Sequence, residues 1–210
     1  MTEGRVAKIA RLTGPITATS GLLIAVTTIV VRLVSDPKRP ETFDDPIVVI
    51  NGVVALAGSL LLLLAVIGLY ERLADSAGAF HFISFLVVLL GSAMLAGDYW
   101  LEAFAAPFLA QVAPAVAEAP GGFLVAGAII SFALFIVGWL LFGIAMIRSG
   151  LFPRVATSVV VLGAVVGAPP GELGKVGFGL GLVWVGVWLI LARKAESENP
   201  TPAPAAGPGF

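Results

Sequence analysis

Two carboxylates, Asp98 and Glu102, lie four residues apart in the stretch LAGDYWLEAF, residues 95–104, which is otherwise apolar and aromatic. In a helix this spacing brings two side chains to the same face. Two carboxyl groups on one face could act as general acid and general base, so both residues are candidate catalytic residues. The alternative is that they mark the point where a helix leaves the membrane and meets water.

Further polar side chains are expected at the same level of the molecule as Asp98. Arg32 ends the first predicted span, Asn51 lies one turn into the second, and Lys175 opens the sixth. Ionisable side chains at membrane depth usually face the interior of a helix bundle and pair with one another. We therefore predict a polar vestibule with Arg32 or Lys175 opposite Asp98. Its candidate ligand-binding residues are Arg32, Asn51, Asp98, Tyr99, Glu102 and Lys175.

Residue types exclude several other kinds of site. The chain has no cysteine and one histidine, His81. Thiolate nucleophiles, iron–sulfur clusters, cysteine-containing zinc sites and a haem with two histidine ligands are therefore excluded. No nucleotide-binding loop, zinc-protease motif or nucleophile elbow is present. We expect no cofactor and no metal, and the net charge of −1 provides no basic surface for nucleic acid.

The composition is that of a membrane protein. Hydrophobic residues make up 59% of the 210 residues and charged residues only 12%, whereas soluble domains carry about 25% charged residues. Several uncharged stretches approach the roughly 20 residues that cross a bilayer as a helix. The sequence therefore predicts an all-α fold, a polytopic transmembrane helical bundle.

Six spans are predicted, at residues 15–34, 46–70, 80–100, 123–147, 151–168 and 173–192. The first is interpreted as a retained span, because its apolar run is longer than that of a secretory signal. The fifth is short, about 27 Å at the helical rise. We predict that it crosses the membrane, and a re-entrant segment is the alternative.

The distribution of Lys and Arg predicts that both termini are cytoplasmic. In that orientation eight of the 12 basic residues are inside and four outside. Residues 1–194 are predicted to form the bundle, and residues 195–210, rich in Pro, Ala and Gly, a disordered cytoplasmic tail. Residues 101–122, which contain three prolines, are expected to form short helical pieces at the outer interface.

Glycine spacing predicts which helices approach closely. Gly163 and Gly167 form a G-x-x-x-G pair in the fifth span, and Gly177 and Gly181 form one in the sixth. Small residues at this spacing let helix backbones come together. We therefore expect the last two spans to pack as a tight hairpin.

Two stretches, GWLLFGIAMIRSGLFPRVATSVVVLGAVVG at 138–167 and AGDYWLEAFAAPFLAQVAP at 96–114, carry a resemblance. They resemble parts of uncharacterised bacterial multi-pass integral membrane proteins, and the resemblance covers about half of the chain. It implies a small helical bundle in the bacterial cytoplasmic membrane. It implies no activity, substrate or catalytic residue.

Three functions remain open from the sequence. The leading hypothesis is a non-enzymatic membrane protein: an accessory or interaction subunit, or a binder of a lipid or other apolar ligand. Its partners would be membrane lipids, an apolar small molecule, a protein in the membrane, or further copies of itself. The alternatives are a small-molecule transporter, against which no ionisable residue lies near mid-span, and an intramembrane enzyme that uses Asp98 and Glu102 on a lipid or isoprenoid.

Overall fold

The computed structural model describes residues 3–34, 45–74, 78–113, 121–167 and 172–198, without the side chains of residues 3–11, 172, 196 and 197. All of the regular structure in these ranges is helical, so the all-α prediction is confirmed. The helices are α1 (Glu3–Val34), α2 (Pro46–Leu73), α3 (Ala79–Trp100), α4 (Ala106–Val112), α5 (Gly122–Ser149), α6 (Arg154–Val166) and α7 (Glu172–Glu198), with a π-helical segment at Leu101–Ala105 between α3 and α4.

Five helical stretches in the described ranges are long and apolar enough to cross a membrane. They are Leu12–Val34, Pro46–Leu73, Ala79–Val112, Gly122–Ser149 and Leu173–Ala195. The protein is therefore a multi-pass helical membrane protein, as predicted. The bounds of α7 reach Glu198, past the predicted end of the bundle at residue 194. The rest of the predicted tail, 199–210, lies outside the described residues.

The fifth predicted span is shorter than expected. Helix α6 has 13 residues, about 20 Å at the helical rise, instead of the 18 predicted. Gly150, with φ of 69°, ends α5 in the left-handed region. Pro153 then adopts extended backbone as the residue before α6. These two residues form the turn that delays the start of α6.

Helix α1 packs against α2 and α7, α3 packs against α2 and α5, and α6 packs against α5 and α7. The core between them is apolar and centred on large, fully buried side chains, among which are Leu62, Leu69, Trp139, Phe142 and Leu182. Many other large apolar side chains on these helices are exposed. An apolar exterior is the surface that hydrocarbon requires of a membrane bundle.

Glycines permit the closest helix contacts. A Cβ on Gly163 would lie 2.6 Å from the Cα of Phe178, and one on Gly181 would lie 2.8 Å from the backbone nitrogen of Val160. The predicted hairpin of the last two spans is thus confirmed. A second contact of this kind, not predicted from the sequence, lies between α1 and α7, where a Cβ on Gly21 would lie 2.7 Å from the Cβ of Leu182.

The chain does not leave the helix at Trp100 but remains helical to Val112. The π-helical segment lies directly before Pro107, which has no N–H and whose ring clashes with the carbonyl group four residues earlier. The N–H of Ala106 donates instead to the carbonyl of Leu101, five residues back. The wider π turn therefore lets helical structure continue past the proline.

Contacts between helices show which helix termini lie at the same end of the bundle. A Cβ on Gly14 of α1 would lie 2.9 Å from a side-chain carbon of Ile190 in α7. The start of α1 and the end of α7 thus lie at the same end, which we call the inner end after the predicted orientation. The opposite end, with Asn51, Asp98 and Lys175, is called the outer end.

Candidate functional site

Asp98 lies inside a continuous helical stretch, not at its end, because helical structure runs a further 14 residues to Val112. Its side chain is half-buried and turned toward two other helices. Ser131 of α5 and Lys175 of α7 lie near enough to the Asp98 carboxyl group to act on it electrostatically. The Oδ2 atom of Asp98 is buried and accepts no hydrogen bond from the described residues.

Lys175 connects this carboxylate to an apolar crevice. It lies one turn into α7, and its side chain is half-buried. Its Nζ atom lies 5.8 Å from the centroid of the Phe132 ring, a distance at which a cation is attracted to an aromatic face. An ammonium group at this depth is therefore stabilised by the Asp98 carboxylate and by the face of an aromatic ring.

The crevice lies between α1, α3, α5, α6 and α7 near the outer end. It contains about 350 Å³ of atom-free space, including the part open to its surroundings, and about 20 Å³ of this admits the centre of a water-sized molecule. Tyr99 and Lys175 are its polar residues. Its apolar walls include Ile24, Leu95, Phe132, Phe135, Ala164 and Phe178.

The structure brings only part of the predicted vestibule together. Tyr99 and Lys175 line the crevice, and Asp98 is coupled to Lys175. Of the two cations predicted to lie opposite Asp98, Lys175 is the one that lies near enough to act on it electrostatically, and the vestibule itself stays a prediction. Arg32 is exposed near the end of α1 and is not part of the crevice wall.

The other two candidates occupy different surroundings. The side-chain amide of Asn51 is buried and donates a hydrogen bond of 3.2 Å to the backbone carbonyl of Thr27 in α1. It therefore joins α1 to α2 within the bundle. Glu102 is exposed and belongs to the π-helical segment. The half-buried Asp98 and the exposed Glu102 thus do not share one environment, as an acid–base pair in a closed site would.

Sequence reasoning missed Ser131, which lies near Asp98, and Phe132, whose ring lies 5.8 Å from Lys175 Nζ. A signal for Ser131 was available, because it is the first hydroxyl in the fourth span and no other follows before Ser149. A lone hydroxyl in an apolar helix often bonds across to a neighbouring helix. For Phe132 no such signal exists, because phenylalanine is common throughout this chain.

Among the residues that the structure describes, no group of three His, Asp or Glu side chains could hold a metal ion. Comparison of the chain with protein-family models, with curated proteins and with solved structures gave no match.

Proposed function

We propose that the protein is a non-enzymatic integral membrane protein that binds a lipid-like ligand in the outer crevice. The observation that supports this most directly is the arrangement of the crevice, whose apolar aromatic walls end at one tyrosine and one lysine, Tyr99 and Lys175. Ligand sites commonly combine apolar walls with a few placed polar groups.

The small accessible volume of the crevice limits the size and shape of the ligand that it could bind. Little of its volume admits even the centre of a water-sized molecule, so a bulky fused-ring compound does not fit. About 20 Å³ on this measure is room for only one or two water molecules, so a hydrocarbon chain, which is wider than water, would lie across the open side of the crevice and enter it only where side chains move aside. We propose that the chain of an acyl or isoprenoid lipid lies against Phe132 and Phe178, with its polar end near Tyr99 and Lys175.

The two alternative functions receive less support from the described residues. An acid–base mechanism needs two carboxyl groups beside one substrate, whereas Asp98 is half-buried and Glu102 is exposed. For a transporter, the charged pair Asp98 and Lys175 lies toward the outer end, not at mid-span, where coupling sites of transporters usually lie. The resemblance to bacterial multi-pass proteins supports the bacterial cytoplasmic membrane as its location, and this remains a proposal.

Native mass spectrometry of the protein purified in mild detergent tests this function. We expect wild type to retain a co-purifying lipid, and the double variant Asp98→Asn with Lys175→Gln to lose it. This variant removes both charges together, so it leaves neither one without its partner. The Arg32→Gln variant is the control, because it removes a cation at the same end outside the crevice and should keep the lipid.

Two results would contradict the proposal. Wild-type protein free of any bound small molecule would show that the crevice is only a packing defect. Equal retention of the lipid by wild type and by the double variant would place the lipid elsewhere on the bundle.

A further inference from the structure

A second cavity lies at the inner end of the bundle, between α1, α2 and α7. About 260 Å³ of its space admits the centre of a water-sized molecule, compared with about 20 Å³ in the outer crevice, and one water molecule needs only about 10–15 Å³ on this measure. Three of its lining residues are cations: Arg72 from α2, and Arg193 and Lys194 from α7. It is therefore larger and far more basic than the outer crevice.

Close packing of the helices positions these cations around one space. A Cβ on Gly14 would lie 3.0 Å from the carbonyl oxygen of Gly186, so α1 and α7 are nearly in backbone contact. A Cβ on Gly68 would lie 2.9 Å from a side-chain methyl of Thr13, so α2 packs directly against the Thr13 side chain of α1. The last turn of α2, which carries Arg72, and the end of α7 thus pack on neighbouring faces of α1, at Thr13 and at Gly14.

The remaining wall of the cavity is apolar. Pro15 of α1 and Leu189 and Ile190 of α7 complete it. The Ile190 side chain is 42% exposed, so this side of the cavity opens toward the exterior of the bundle. Apolar contacts beside a basic cluster suit a ligand that joins an anionic group to an apolar part.

Glu198, which lies beside Lys194 at the end of α7, neutralises little of the charge of this lysine. Lys194 Nζ lies 3.9 Å from Glu198 Oε1, and the two side chains are 72% and 64% exposed. An exposed pair of this kind, one helical turn apart, is weak and is screened by salt. Glu198 therefore competes only weakly with an anion for Lys194.

We propose that this inner cavity binds a phosphate group, carried by an anionic phospholipid headgroup or by a soluble phosphate ester. Arginine presents a planar set of donors that match phosphate oxygens in pairs, and lysine adds a compact positive charge. Arg72 and Arg193 approach the cavity from two different helices, so a bound phosphate would bridge α2 and α7. This site shares no residue with the outer crevice, so its test is independent of the proposed function.

Lipid titration followed by native mass spectrometry tests the site on delipidated full-length protein. The variant is Arg193→Gln with Lys194→Gln. The matched control is Arg148→Gln with Arg154→Gln, which removes two exposed basic residues outside the cavity wall. All four side chains are exposed, and thermal unfolding confirms that each variant is folded.

The probes distinguish the two sources of the phosphate. We expect dioleoyl phosphatidylglycerol to bind wild type and the control more tightly than dioleoyl phosphatidylcholine does. The cavity variant should lose about tenfold in phosphatidylglycerol affinity, as expected for the loss of a charge-assisted hydrogen bond. Binding of glycerol phosphate to wild type, lost in the cavity variant and without preference between the two lipids, would identify a soluble phosphate ester as the ligand.

Two outcomes would overturn the proposal. Equal affinity for both lipids, together with no binding of glycerol phosphate, would show that the cavity does not recognise phosphate. Equal weakening in the cavity variant and in the matched control would show only general attraction of anionic lipid to a basic membrane face.

Discussion

The pair of Asp98 and Lys175 illustrates how far single residues can be interpreted from sequence. Their predicted depths placed both at the outer end, and in the structure Lys175 lies near enough to Asp98 to act on it electrostatically. Depth follows from counting residues along a helix, but the direction in which a side chain points depends on the rotation of the helix about its axis. That rotation depends on packing, so the sequence left Arg32 and Lys175 as equal candidates.

The same residues allow a test of whether the charges stabilise each other. Lys175→Met leaves the half-buried Asp98 carboxylate without its cation, and we expect it to lower the free energy of unfolding by about 1–3 kcal/mol. The double variant Asp98→Asn with Lys175→Met removes both charges and should lose less than Lys175→Met alone. Reversible unfolding in mixed micelles measures both.

The control for this pair is Arg32→Met, which removes an exposed cation at the same end and should change the free energy of unfolding little. Strictly additive effects of Asp98→Asn and Lys175→Met would mean that the two side chains do not interact, whatever their proximity.

At the scale of helices, glycine positions decide which pairs of elements come into contact. The sequence indicated the hairpin of α6 and α7 through two G-x-x-x-G pairs. It did not reveal the approach of α1 to α7, where the glycines of each helix are seven residues apart, Gly14 and Gly21 facing Gly186 and Gly179. A seven-residue spacing also brings small residues back to one helix face, because two helical turns take about seven residues. The G-x-x-x-G pattern, which covers four-residue spacing only, does not include this contact.

Two glycines in the hairpin of α6 and α7 allow a matched pair of alanine substitutions. A Cβ on Gly163 would lie 2.6 Å from Phe178 Cα, a backbone atom that cannot move aside alone, whereas one on Gly177 would meet nothing closer than 3.9 Å. We expect Gly163→Ala to destabilise the protein by about 1–3 kcal/mol through overpacking. Gly177→Ala should be neutral or slightly stabilising, because alanine is the better helix former.

Thermal unfolding of the two alanine variants in detergent measures this difference. If Gly163→Ala were as stable as Gly177→Ala, the helices α6 and α7 could not lie as close together as the structure places them.

For the whole molecule, hydropathy was sufficient to predict an all-α membrane bundle. A charge-free stretch of about 20 residues is long enough to cross a bilayer as a helix, which satisfies its own backbone hydrogen bonds. Hydropathy predicted the ends of helices less well where the backbone conformation of a glycine or proline determines them. The turn at Gly150 and Pro153 shortened the fifth span, and the π-helical segment before Pro107 carried the third beyond its predicted end. Both departures begin at glycine or proline, whose effects are local and do not show in an average over a window of residues.

The topology of the chain depends on whether the short helix α6 completes a crossing. Phe152, just before α6, contacts Trp188, with ring centroids 6.3 Å apart. After α6, Gly167 packs on Gly174, since a Cβ on Gly167 would lie 3.0 Å from the carbonyl carbon of Gly174. Gly174 and Trp188 are about 21 Å apart along α7. The chain therefore moves from the inner toward the outer half of the bundle through α6, although the helix alone is shorter than a hydrocarbon core.

Cysteine labelling tests this topology directly, because the chain has no cysteine of its own. Glu102→Cys and Glu198→Cys each replace an exposed carboxylate, at the outer and the inner end respectively. With α6 as a crossing, the two positions lie on opposite sides of the membrane. A membrane-impermeant maleimide applied to intact cells should therefore label Glu102→Cys, and label Glu198→Cys only after the cells are disrupted. Labelling of both in intact cells would mean that α6 returns to the side on which it began, whereas the reverse pattern would invert the predicted orientation and keep six crossings.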